Sequence, residues 1–153
     1  MIYPVITLIW AISGFLSWYL STYIFTFVIT PAVPGAMAFM REYTSSQVLL
    51  DLYLTALSHI SDYTLGFLFA LILAIFSNFS KARMGIYIFA MSILPIYYHI
   101  IQLIEYKSYY AGWPYWMFAS IGMGFLSILI CSPLFACIGG VLGKVYRTRR
   151  QNV

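Results

Sequence analysis

The sequence predicts an all-α integral membrane protein, with four transmembrane helices in one bundle and an amphipathic outer helix before the second span. Composition is the first observation: of 153 residues, 63% are hydrophobic and 8% charged, and mean hydropathy is +0.90. Soluble domains carry roughly 25% charged residues, so a soluble fold is excluded. Second, the chain contains four apolar runs, each near or above the ~20 residues an α-helix needs to cross the bilayer core. Third, its basic residues gather in one short turn and in the C-terminal tail. A chain of this length has room for a single transmembrane domain over residues 1–153 and for no soluble domain. The net charge of +4 is explained by topology, and no basic-aromatic surface points to nucleic acid.

The first span is expected at residues 4–30, closed by Pro31 and Pro34. A signal peptide has a basic start and an apolar stretch of only about 7–15 residues. This run has no Lys or Arg and is longer, so an uncleaved span is expected despite the cleavage-like Ala36-Met37-Ala38. Ser13, Ser17 and Ser21, at i, i+4 and i+8, form a small-residue stripe suited to close helix contact.

Residues 31–61 form the longest connection. Thr44 and Gln47 resemble a capping box, and the following segment is apolar except along Asp51, Thr55, Ser58 and Asp62. That amphipathic helix either lies in the interface or extends the second span outward. Its polar line continues at steps of four as Gly66, Ala70, Ala74 and Asn78, which favours the extension. The second span, 62–79, and the third, 84–104, then flank the basic turn Ser80-Lys81-Ala82-Arg83 as an antiparallel hairpin.

In the third span, Ser92, Pro95, His99 and Gln102 share one face, and Pro95 deprives the Met91 carbonyl of its helical donor. The connection from Glu105 to Trp116 is dense in Tyr and Trp; with Tyr97 and Tyr98 it reads as an aromatic belt at headgroup level. The fourth span, 116–142, offers small-residue pairs: Ser120 with Gly124, Ala136 with Gly140, and Gly139 with Gly143. A basic tail follows, 143–153. Cys131 and Cys137 lie inside the last run, six apart, a spacing that does not match a redox pair.

Orientation follows by counting. With the Lys81/Arg83 turn in the cytoplasm, both termini are cytoplasmic. Lys81, Arg83, Lys144, Arg147, Arg149 and Arg150 then lie inside, against Arg41 and Lys107 outside. The expected location is the bacterial inner (plasma) membrane.

This orientation collects all four acids and both histidines in the outer half. His59, Asp62, His99, Gln102, Glu105 and Asp51 are the candidate polar, proton or partner site, because ionisable groups at membrane depth face the bundle interior or a cavity. The hairpin geometry sets Asp62 opposite Gln102. Gly66, Ala70, Ala74, Gly124, Gly139 and Gly143 are the expected helix-packing residues. No metal-binding spacing of the H-E-x-x-H or paired C-x-x-C kind occurs, His59 and His99 are offset in depth for a bis-histidine haem, and no nucleophile or phosphate-loop motif is found. No catalytic residue, metal or other cofactor is therefore expected. The expected partners are the lipid bilayer and another membrane protein or a second copy, with no nucleic acid.

Two functions fit these features. The first is a non-enzymatic accessory, assembly or immunity-type subunit that binds another membrane protein through its small-residue faces or outer loop. The second is a small oligomeric channel or proton-coupled transporter that uses the outer Asp/His/Glu cluster.

Overall fold

A computed structural model describes residues 2–109 and 122–151. All regular structure among them is helical, and four helices are long and apolar enough to cross a membrane. Helix α1 (Ile2–Ile24) runs through a π turn (Phe25–Ile29) into α2 (Thr30–Tyr43). Helix α3 is Gln47–Phe76, α4 is Lys81–Tyr109, and α5 is Gly122–Gln151 with a π turn at Ser127–Cys131. Trp113, Pro114, Tyr115, Trp116 and Ser120 lie outside the described residues, so the aromatic connection and the start of the fourth span do too.

The expected stop at Pro31 and Pro34 is corrected: helix continues through both for 41 residues, from Tyr3 to Tyr43. A π turn immediately precedes the proline. The Thr30 N–H bonds to the Phe25 carbonyl five residues back, and the wider turn gives the ring room. The Thr30 hydroxyl bonds to the same carbonyl (2.9 Å). At 1.5 Å per residue such a helix is about 60 Å long, twice the ~30 Å hydrocarbon core. Helix α2 contributes no buried residue, though it touches α3. The same device recurs before Pro133, where the Ser132 N–H bonds to Ser127.

Residues 31–61 are thus not an outer loop with a separate helix. Only residues 44–46 interrupt the helices, and the amphipathic segment is the first half of α3, continuous with the second span. Ser46, not Thr44, precedes the first turn of α3 and makes no side-chain cap; the Thr44 hydroxyl instead accepts the Ser46 N–H at 3.1 Å. Helix α3 ends at Phe76, three residues short of the expected boundary. There Ser77 donates both its N–H (2.8 Å) and its hydroxyl (2.6 Å) to the Leu73 carbonyl. Residues 143–151 are not a loose tail but the last turns of α5.

Packing follows small residues. Helix α5 lies against α3, α3 against α1, and α1 against α4. Gly66, Ala70, Ala74, Gly124, Gly139 and Gly143 are all buried. A Cβ on Gly143 would come within 2.5 Å of the Leu71 carbonyl, and one on Gly139 would strike the Phe67 backbone, so these two residues set the α3–α5 approach. On α1 the buried line is Trp10, Gly14, Ser17 and Ser21, whereas Ser13 is half-buried. A Cβ on Gly14 would meet the Tyr87 carbonyl at 2.5 Å, which makes Gly14 the closest point between α1 and α4.

Helices α3 and α4, consecutive in the chain, make few backbone contacts. The facing hairpin inferred from the sequence is therefore corrected: α1 lies against both helices, and the long side chains of Met91 and Tyr87 reach from α4 to Gly66 of α3. The aromatic heart of the core is Trp10 and Tyr87, both fully buried, with Phe79 beside them. Trp10 donates to the Ser77 hydroxyl (2.9 Å) and Tyr87 to the Gly66 carbonyl (3.1 Å), so both polar tips are satisfied.

One end of the bundle gathers cations. Arg83 is buried there, donates to the Asn78 carbonyl at 2.5 Å and stacks on Tyr3, while Lys144 approaches the face of Phe79. The start of α1, the α3–α4 turn and the end of α5 thus share that end.

Candidate functional site

The opposite end opens into a cleft of about 480 Å³ between the N-terminal half of α3, α4 and the beginning of α5. Its α3 wall is built by helical periodicity. Gln47, Asp51, Leu54, Thr55, Ser58 and His59 recur on one face, and His99 and Gly124 line the cleft with them. The hydroxyls of Thr55 and Ser58 turn back to carbonyls of α3, at 2.8 Å to Asp51 and 2.7 Å to Leu54, which ties them to their own helix. Gln47 donates to the Asp51 carboxylate at 2.8 Å and orients it at the mouth.

Both histidines have one nitrogen committed. His59 Nδ1 lies 2.8 Å from Asp62 Oδ2, and a carboxylate only accepts, so Nδ1 carries the proton. His99 Nδ1 donates to the Pro95 carbonyl at 3.1 Å. In the neutral ring each Nε2 is then an acceptor. His59 is stacked on Tyr63, which is stacked on Phe135 and bonded to the Ser127 hydroxyl at 2.7 Å. The His99 ring meets Phe125 edge-on and seats against Gly124.

Beneath the cleft lies Asp62. Its Oδ1 accepts a hydrogen bond from Ser21 of α1, and Oδ2 accepts from His59. Ser61 joins the group, with its hydroxyl 2.9 Å from that of Ser21. A carboxylate at this depth is costly unless hydrogen-bonded, and here hydroxyl and imidazole donors converge on it from α1 and α3.

Of the six expected site residues, Asp51, His59 and His99 line the cleft and Asp62 underlies it. Gln102 is half-buried and Glu105 exposed, and neither belongs to the cleft wall. Asp62 partners Ser21 across to α1 rather than Gln102 across to α4, because α1 is the helix packed on α3 at that level. Sequence reasoning placed Ser21 in a packing stripe and gave Ser61 and Gln47 no part in a site. The one signal for Ser61 was its position next to Asp62 on a polar helix face. Gly124 was expected in packing, and it is also where His99 rests.

Comparison with protein-family models, with curated proteins and with solved structures yielded no match.

Proposed function

We propose that this is a multi-pass protein of the bacterial inner membrane, with both termini cytoplasmic, acting without catalysis as an accessory, assembly or immunity-type subunit of another membrane protein. The basic end formed by Arg83, Lys144 and the last turn of α5 supports the orientation, since cytoplasmic ends carry the Lys/Arg excess. The outer cleft carries the functional reading. Gly66, Ala70, Ala74, Gly139 and Gly143 are consumed inside the bundle, so recognition moves from those faces to the cleft and its polar α3 wall. A side chain or short segment of a partner fits a polar recess of about 480 Å³.

Purification in mild detergent tests this reading. A discrete membrane protein is expected to co-purify with the native chain and to be lost when Thr55→Trp or Ser58→Trp fills the cleft, with expression unchanged. Co-purification that survives a filled cleft would remove the cleft from the interaction.

A second reading, a small oligomeric transporter, is favoured by the hydrogen-bonded Asp62, His59 and Ser21 directly below the cleft. Asp62→Asn and His99→Gln separate the two. Loss of a transport activity with retained expression and partner binding would sink the interaction reading.

A further inference from the structure

Below Asp62, at mid-helix depth, lies a second cavity of about 10 Å³, close to the room one water-sized particle occupies. Asp62 of α3, Ser92 of α4 and Ser132 of α5 line it, with Trp18 of α1 and Met91, Pro95 and Ile128 completing the wall. Ser92 and Ser132 are 7% and 4% exposed, and neither hydroxyl has a hydrogen-bond partner among the described residues. The Ser17 hydroxyl of α1 is likewise unpartnered, whereas those of Thr64 in α3 and Thr148 in α5 each bond to the carbonyl four residues back. Ser92 and Ser132 have the same option and do not take it.

The backbone adds acceptors. Pro95 deprives the Met91 carbonyl of its i+4 donor. The π turn of α5 sets the Ser132 N–H on the Ser127 carbonyl, and the next residue in that pattern, Pro133, has no N–H to offer Ile128. Both freed carbonyls belong to residues lining the cavity. One carboxylate and two unpartnered hydroxyls therefore line a space for a single small particle, beside two residues whose carbonyls lack their usual helical donor. The candidate ligands are all oxygen, and their one formal charge is negative when His59 is neutral. Oxygen ligands suit hard cations, and interrupted membrane helices use freed carbonyls in this way.

We infer that Asp62, Ser92 and Ser132, with the carbonyls of Met91 and Ile128, form a binding site for one Na⁺ ion. A monovalent ion matches the single carboxylate, and the small volume favours Na⁺ over K⁺. The ion stabilises the charge on Asp62 and ties α3, α4 and α5 together. The site does not depend on which partner, if any, occupies the outer cleft.

The test is thermal unfolding and ²²Na⁺ binding on the purified, detergent-solubilised chain in NaCl, KCl or choline chloride. Saturating Na⁺ is expected to raise Tm by at least about 5 °C over K⁺ and choline. Ser92→Ala and Ser132→Ala each remove one ligand and are expected to weaken Na⁺ binding about tenfold or more. Both remove an unpartnered buried hydroxyl, so in choline they are expected to be at least as stable as the native chain. Asp62→Asn is expected to abolish ²²Na⁺ binding. Equal Tm for the native chain in all three salts overturns the site, as does a full native Na⁺ response in either serine variant.

Discussion

His99 seats its imidazole on Gly124 so closely that a Cβ at position 124 would lie 2.5 Å from Nε2. The ring is held in place by its hydrogen bond to Pro95 and its edge contact with Phe125, so it has little freedom to withdraw. One wall of the cleft is thus set by the absence of a side chain. Gly124→Ala is expected to expel His99 and lower stability by about 1–3 kcal/mol, the usual cost of overpacking. Adding His99→Ala is expected to recover much of that loss, because the clashing ring is gone. A double-mutant cycle in thermal unfolding checks the coupling; additive losses would show that the contact does not constrain the pair.

Gly139 makes a sharper case, because its neighbour is backbone. A Cβ there would strike Phe67 main-chain atoms, which no rotamer change relieves. Gly139→Ala is expected to force α3 and α5 apart and to cost about 3 kcal/mol or more, at the upper end of overpacking losses. Gly85, also helical, has nothing within 4 Å of its would-be Cβ. Gly85→Ala is therefore expected to be neutral or to stabilise by up to about 1 kcal/mol. Unfolding midpoints of the two variants, measured side by side, check the contrast.

Among the described residues Trp10 carries the largest fully buried side chain, with edge contacts to Tyr87 and Phe79 and a bond to Ser77. Trp10→Ala is expected to cost about 3–5 kcal/mol through the cavity it leaves. Tyr87→Phe removes one hydrogen bond to the Gly66 carbonyl and is expected to cost about 1–2 kcal/mol. Denaturant titration of both variants should rank them in that order.

Ser21 and Asp62 are 41 positions apart in sequence and joined by a hydrogen bond between α1 and α3. A hydrogen bond to a charged group contributes about 1.5–3 kcal/mol, so Ser21→Ala is expected to destabilise by an amount in that range. In an Asp62→Asn background the same substitution should cost roughly half as much, since the acceptor is no longer charged. Equal costs in the two backgrounds would mean that Asp62 is not bound there as a carboxylate.

Much of the helix pattern was legible in the residues, and the boundaries were less so. The polar line of Asp51, Thr55 and Ser58 correctly joined the outer segment to the second span, because helical periodicity is a local property. Pro31 misled because a proline within a helix costs one hydrogen bond without having to end the helix, as Pro34 in α2 and Pro95 in α4 also show. The π turn at Phe25–Ile29, which no composition signal marks, lets the helix continue. Asp62 and Gln102 were expected to meet on the premise that consecutive helices pack together. Gly14 and Gly139 redirect that packing, by admitting α4 against α1 and α3 against α5 at backbone distance.

The sequence by itself determined that four helices are apolar and long enough to cross a membrane, which residues share a face, and where charge gathers. These follow from composition and a period of 3.6 residues, and neither needs a neighbour to act. Tertiary structure alone decided that α1 packs against both α3 and α4, that Ser21 rather than Gln102 answers Asp62, and that Ser92 and Ser132 meet at one cavity. Those are relations between residues on different helices. They depend on how closely two backbones approach, and that distance is set where a side chain is missing.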